Sequence, residues 1–264
     1  MNNARNNKFS IIVVSLNTKK DFLKTYKSII NQKFKSFEII VIDGKSNDGT
    51  IDSIKKYSRN FSKIVIEKDK GIYDAMNKGT KYISGNWSIF LNSGDTFYNS
   101  QTLFMLNKLI SKNKYLDVIV GKNVIDAKIK YLTNFEKISL DSQSSGFSHQ
   151  STIYKSDIFK FKKFNLKFKI AADYELVKYL IKKNKKFFYT KLIISSSKPG
   201  GISDKMRYTA EKEFYLINSK YKKSNIFLFN YYKNILIIFL KNIIKFFLPK
   251  NLILVISRVK SKRR

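Results

Sequence analysis

Cysteine is absent from the 264-residue sequence, and it contains only one histidine, one tryptophan and two prolines. Without thiols there are no disulfides and no thiolate metal sites. With His149 alone, no multi-histidine centre can form. Acids are also scarce, 19 Asp and Glu against 52 Lys and Arg, which gives a formal charge of +33. Neither a complete Gly-Lys-Ser/Thr P-loop nor a G-x-G-x-x-G follows the first apolar run, which disfavours P-loop kinases and dinucleotide oxidoreductases. That run, Phe9 to Leu16, is too short for a signal-peptide core or a membrane span, so the chain is expected to stay on the cytoplasmic side.

What is present suits a folded protein. A hydrophobic content of 43% with 15% aromatics supplies a core, and the length allows one catalytic domain plus an appendage. The positive charge points to a polyanionic neighbour: nucleic acid, an anionic leaflet or phosphorylated substrates. A/T-rich coding also enriches Lys, Asn and Ile together, so the scattered lysines fit either origin.

Strands and helices alternate along the first half. Phe9–Ser15, Phe37–Asp43, Ile64–Glu67 and Trp87–Leu91 read as strands. Asp21–Asn31, Gly49–Ser58, Ile72–Ile83 and Gln101–Lys112 read as helices between and after them. This rhythm implies right-handed crossovers and an α/β fold with a mostly parallel sheet, helices on both faces and ligands beyond the carboxyl ends of the strands. Further on, Val118–Gly121, Lys128–Leu132, Phe147–Tyr154 and Phe187–Ile194 read as strands and Asp173–Lys183 as a helix.

Several of the few acids fall at strand ends. Asp43 closes the second strand, Asp69 and Asp74 flank Gly71 after the third, and Asp95 follows the fourth. Converging on one crevice, they suit a hard divalent cation and the hydroxyls of a ribose or sugar. Each also has a local use, as a turn former or a helix cap.

The segments IIVVSLN, EIIVIDGKSNDGT, EKDKGIYDAMNKG and WSIFLNSGD, with GFSHQSTIYK, AADYEL and GGIS further on, resemble the family 2 glycosyltransferases of the Rossmann-like GT-A fold, the type found in bacterial surface-polysaccharide synthesis. The resemblance covers about residues 9–203. It implies a nucleotide-sugar half at 9–121 and an acceptor half at 122–203 within a domain spanning 1–213. It further implies nucleoside contacts at Ser15, Asn17, Asp43 and Asp69, and a donor side lined by Gly71, Asp74, Asn77 and Lys78, with Lys78 at a phosphate. Asp95 would hold Mg²⁺ or Mn²⁺, and Asn92 would offer a carbonyl where the family's D-x-D has its first acid; His149, beside Gln150, reads as a second metal ligand or a diphosphate contact, with a structural histidine as the alternative. Asp173 matches the general base, with Glu175 in reserve, and Gly200–Ser203 a loop closing over phosphates. The implied reaction is inverting transfer of a hexose or N-acetylhexosamine, most often uridine-linked, to a lipid-linked glycan at the inner face of the bacterial membrane.

No acid follows Glu213, and residues 214–264 read as a basic tail. Between Ile226 and Leu248 an apolar segment is interrupted by Asn230, Lys233, Asn234, Lys241, Asn242 and Lys245, a polar stripe at helical spacing. A spanning helix would hold its lysines at roughly 2.5 to 3.5 kcal/mol each near its centre. An in-plane amphipathic helix on anionic lipid avoids that cost; a core helix is the alternative. The terminal cluster Arg258, Lys260, Lys262, Arg263 and Arg264 extends the charge. Two other functions compete: a non-catalytic membrane scaffold, suggested by the altered D-x-D, and a nucleic-acid-binding protein, suggested by the charge. The latter leaves the acidic crevice unexplained, because acids repel phosphates.

Overall fold

The computed structural model describes residues 8–127, 130–133 and 136–247. Nine strands form one sheet: β1 (Phe9–Ser15), β2 (Phe37–Asp43), β3 (Lys63–Ile66), β4 (Trp87–Asn92), β5 (Thr96–Phe97), β6 (Val118–Ile125), β7 (Tyr131–Leu132), β8 (Thr152–Lys155) and β9 (Phe187–Ser197). The helices are α1 (Lys19–Ile30), α2 (Thr50–Lys56), α3 (Ile72–Gly79), α4 (Thr102–Lys112), α5 (Ile158–Phe161), α6 (Ala172–Lys182), α7 (Ile202–Lys205), α8 (Arg207–Tyr221) and α9 (Asn225–Phe247).

The strand order is β3-β2-β1-β4-β8-β6-β9-β5, with β7 on β6. The first four of these strands are parallel neighbours, as the alternating rhythm requires. β8 runs antiparallel between β4 and β6, so β6 and its parallel partner β9 again point the same way as β1. The expected strand at 147–154 is therefore only its second half. His149–Ser151 form a 3₁₀ turn, which sets His149 at the carboxyl edge of β4. Of the strand expected at 128–132, Tyr131–Leu132 remain, and Lys128 and Ile129 lie outside the described residues.

Side chains of a buried strand alternate between faces, which gives the sheet two cores. Ile12, Val14, Ile40, Ile42 and Phe90 meet Met76 of α3 and Leu176 and Leu180 of α6 on one face. Phe9, Ile11, Val13, Ile39 and Leu91 meet Phe22 and Ile29 of α1 and Leu106 of α4 on the other. Gly79 lets α3 sit tightly on the first face: a Cβ there would lie 2.5 Å from Ile12 Cγ2.

The boundary expected at 213/214 falls inside α8. Ile217 is fully buried in the first core, Phe214 stacks edge-on against Tyr174 at 5.2 Å, and Asn218 Oδ1 accepts the Tyr174 hydroxyl at 2.9 Å. Phe214–Tyr221 thus belongs to the globular unit, because α6 needs a cover on its outer side. α9 packs on α8, though differently from the expected stripe. Asn234 bonds Glu211 at 2.8 Å and Asn242 lies 3.4 Å from the Tyr208 hydroxyl, so these amides face protein. Phe229, Leu236, Phe239, Leu240 and Ile244 are left exposed on the outside. Arg258 to Arg264 lie outside the described residues.

Ile217→Ala should destabilise the whole protein by about 2–4 kcal/mol in urea denaturation, the range of a buried large-to-small change. A loss below 0.5 kcal/mol would place α8 outside the cooperative unit.

Candidate active site

The register of β1 puts Ser15 beside Asp43 and Val14 beside Asn92, so the ends of β1, β2 and β4 share one edge. The loops leaving that edge shape a crevice, and they need hydrogen-bond partners of their own. Asp43 is fully buried and supplies several. Its Oδ2 accepts Ser15 Oγ at 2.7 Å and Ser46 Oγ at 2.8 Å, and its Oδ1 accepts the Ser46 amide at 2.7 Å. Asn17, at φ +51°, donates its amide to Ser46 Oγ and accepts that of Asn47, each at 2.8 Å. Of the residues expected at the nucleoside, Ser15 and Asp43 turn their polar atoms inward, and with the exposed Asn17 they build the loop that a ligand would meet.

Further open surfaces lie beside Asn17. Leu16 is 52% exposed. Asp69 receives the Gly71 amide on Oδ1 at 3.0 Å, and its Oδ2 sits 2.6 Å from where a Cβ of Gly44 would be. Gly71, at φ +120°, would carry a Cβ into open space; strain forbids a side chain there, and its bare backbone borders the crevice.

Of the other expected donor-side residues, Asp74 Oδ2 accepts the Lys70 amide at 2.9 Å. Lys78 lies 3.1 Å from Glu67 and 3.5 Å from Asp74 and donates to the Lys68 carbonyl at 2.6 Å. The ammonium expected at a phosphate instead clasps the loop from 67 to 74. Asn77 exchanges two bonds with the backbone of Phe164, at 2.8 and 3.0 Å, and ties the two halves of the chain together.

The β4 end has a surplus of oxygen. Asp95 is 8% exposed, and Thr25 holds its turn by donating to the Asp95 carbonyl at 2.7 Å and accepting the Gly94 amide at 2.9 Å. Burial pushes the Asp95 carboxyl up to about 6, and the nearby His149 pulls it partly back. Asn92 Oδ1 and Ser93 Oγ are buried with no hydrogen-bond partner. His149 Nε2 lies 2.8 Å from Asn92 Nδ2 and 4.0 Å from Asp95 Oδ2. With the ring neutral, the amide donates to it, so His149, expected as a ligand, fixes Asn92 with Oδ1 free; only the protonated ring exerts the pull on Asp95. An unpartnered amide oxygen beside a buried carboxylate fits Mg²⁺ or Mn²⁺, which take few protein oxygens and complete their shells elsewhere. Among the described residues no group of three His, Cys, Asp or Glu gathers for a metal.

Asp173 opens α6. Burial raises its pKa, against the opposing pull of His149 and of the Tyr73 hydroxyl, which lies 2.9 Å from Oδ1. Glu175, two residues on, faces away. It is fully buried, and burial alone would raise its pKa, but Lys162 at 2.8 Å, Lys220 at 2.7 Å and the Tyr221 hydroxyl at 2.9 Å outweigh burial and lower it. Glu175 is a structural ion-pair centre and no reserve base.

Sequence reading missed Thr25, Tyr73 and Glu213. Glu213, 6% exposed on α8, accepts the amides of Lys169, Ile170 and Ala171 at 2.7, 2.9 and 2.9 Å and so pins the segment that leads into α6. Its being the last acid of a basic chain was the available signal. Of Gly200–Ser203, expected as a loop, Ile202 and Ser203 already belong to α7, whose Asp204 accepts the Gly200 amide at 3.1 Å. Lys198, just before it, pairs with Asp21 of α1 at 2.7 Å.

The family model described as Glycosyl transferase family 2 matches residues 10–174. A "PGL/p-HBAD biosynthesis glycosyltransferase" of Mycobacterium bovis (strain BCG / Pasteur 1173P2) is 29% identical over 176 residues, which make up 63% of this chain and 67% of that protein. Among solved structures, S. aureus TarS 1-349 in complex with UDP-GlcNAc has a TM-score of 0.62 at 21% identity, covering 80% of this chain and 64% of that one. The mannosyltransferase PcManGT from Pyrobaculum calidifontis, in complex with GDP-Man and Mn2+, gives 0.63 at 13% identity, covering 81% and 63%. Against the longer TarS chain the match spans 39% of its length. These structural likenesses are of fold.

Because the folded-state pKa of Asp95 is raised, its contribution to stability is complete below the unfolded value near 4 and is lost as pH rises through about 6. Asp95→Asn should therefore be more stable than wild type at pH 8 in the absence of metal, by roughly 1–3 kcal/mol, with the difference vanishing near pH 4. Urea denaturation at the two pH values measures it; equal differences at both would remove burial of the charge as the cause.

Proposed function

The chain belongs to glycosyl transferase family 2, and from that premise we propose that it moves a hexose or N-acetylhexosamine from a uridine-diphosphate sugar to a lipid-linked glycan, with inversion, at an anionic membrane surface on the cytoplasmic side of a bacterial cell. The observation that carries the reading is the placing of His149 beside Asn92 and Asp95 at the end of β4, where its charge when protonated also reaches Asp173; burial raises the pKa of both acids.

Their surroundings suit different roles. Asp95 and Asn92 Oδ1 would hold Mg²⁺ or Mn²⁺, which when bound supplies positive charge to offset that of the departing nucleoside diphosphate. Asp173, at the amino end of α6, takes the proton of the acceptor hydroxyl as its oxygen bonds the anomeric carbon and the sugar-phosphate bond breaks. Leu16, Asp69 and the bare backbone of Gly71 form the nucleoside side. The UDP-GlcNAc complex of TarS supports uridine, and the glycolipid pathway named for the mycobacterial relative supports a lipid-linked acceptor.

The membrane part rests on α9. No described helix is long and apolar enough to cross a membrane, yet the outer side of α9 exposes Phe229, Leu236, Phe239, Leu240 and Ile244 on a chain of net charge +33. An in-plane helix buries such a face in the headgroup boundary while surrounding lysines meet anionic lipid.

Calorimetric titration with UDP and Mn²⁺ tests the site. Wild type should bind, Asp95→Ala should lose the metal-dependent part, and Asp173→Asn should keep binding while transfer falls about 10²- to 10⁴-fold. A wild type that binds neither UDP nor another nucleoside diphosphate would end the proposal. For the surface, Leu236→Asp with Leu240→Asp should weaken sedimentation with phosphatidylglycerol vesicles by roughly tenfold or more; unchanged sedimentation would free α9 from the lipid role.

A further inference from the structure

Tyr73 sits on α3, in the half of the chain that leads from the donor crevice, and is 7% exposed. Its hydroxyl lies 2.7 Å from the Ile170 carbonyl and 2.9 Å from Asp173 Oδ1. Both are acceptors while Asp173 is ionised, and a phenol has one proton to give. The two acceptors are held rigidly. Glu213 grips the amides of Lys169, Ile170 and Ala171, which fixes the peptides around the Ile170 carbonyl, and the Tyr174 amide donates to Asp173 Oδ1 at 2.8 Å. The phenol is held as well, since its ring packs on Phe164 at 5.4 Å and Asn77 anchors the Phe164 backbone.

We propose that Tyr73 is the positioning residue of the base, its one proton pointing to Asp173 while the carboxylate is charged and turning to the Ile170 carbonyl once Asp173 is protonated. The role in transfer rests on the function proposed above; the hydrogen-bond exchange does not. In the transfer step the acceptor oxygen gives its proton to Asp173 Oδ2 and its electron pair to the anomeric carbon. The nucleoside diphosphate leaves with the electrons of the broken bond, and the Tyr73 proton rotates without leaving its oxygen. Because Ile170 stands ready as the second acceptor, neither protonation state leaves the phenol unpaired, and an unpaired buried donor is costly.

The groups facing Asp173 are Tyr73 from α3, His149 from the 3₁₀ turn and Tyr154 from β8, while Glu213 from α8 acts on Tyr73. Burial raises the Asp173 pKa, and the bonds and charges of Tyr73 and His149 work to lower it. Removing the phenol proton should raise it further and move the acid limb of turnover to higher pH.

The test is carbon-13 NMR titration of aspartate carboxyls in the full chain, with the Asp173 signal assigned by its loss in Asp173→Asn. In Tyr73→Phe the Asp173 midpoint should rise by about one pH unit. With 3,5-difluorotyrosine at position 73, a stronger donor that keeps the ring, it should fall below wild type. Midpoints that do not move, or move the opposite way, overturn the proposal. In parallel, turnover of UDP-GlcNAc with Mn²⁺ should show the acid limb of kcat following those midpoints while UDP affinity stays constant. An acid limb that ignored a shifted midpoint would overturn the role in transfer. Absence of wild-type binding and turnover with any nucleotide sugar would fall on the proposed function, and the titration would still decide the Tyr73 link.

Discussion

Everything at the crevice depends on the register of one strand. β1 is paired on both sides, Ser15 against Asp43 and Val14 against Asn92. Side chains alternate with a period of two, so a slip of a single residue would turn every buried aliphatic of β1 to the opposite core and separate Ser15 from Asp43. The register is held by both cores at once. It is locked at its end by the bond from Ser15 to the buried Asp43, and the same carboxylate then shapes the loop beyond.

A chain with so few acids makes their individual situations informative. Asp43, Glu175 and Glu213 are buried, and each meets several donors: hydroxyls and an amide, two lysines and a tyrosine, three backbone amides. They hold structure. Asp95 is buried and Asp173 half-buried without comparable compensation, and burial dominates the pKa of both. Groups held that way are the ones able to bind a cation or move a proton, which is why perturbed carboxyls gather at functional sites.

Much of this was legible in the sequence. The β-branched runs located β1 and β2 to the residue, and the alternation with helices brought Asp43, Asp69 and Asp95 to one edge, because parallel strands all end there. Which way each polar side chain turns was not legible. Asn77 and Lys78 read as ligand groups, yet the first must satisfy the Phe164 backbone and the second the loop between Glu67 and Asp74, needs set by contacts far away in sequence. Asp173 and Glu175 share a short motif, and only the position of α8 explains why one faces Tyr73 and the other Lys220. The stripe on α9 was real as a pattern, but periodicity alone does not say whether amides look to water or to a neighbouring helix, and Asn234 looks to Glu211.

The grip of Glu213 on the segment before α6 also orders events in time. Proteins are synthesised from the amino end, and early segments can fold before later ones emerge. β1 to β4, with the loops that shape the nucleoside side, come from the first hundred or so residues, while the amides of Lys169, Ile170 and Ala171 wait for a carboxylate more than forty positions downstream. On the ribosome, the crevice can therefore take shape well before Asp173 is aligned, and the covering helix that completes α6 is followed at once by the helix with the apolar outer face. Alignment of Asp173 and presentation of that face thus come together, after the crevice has formed.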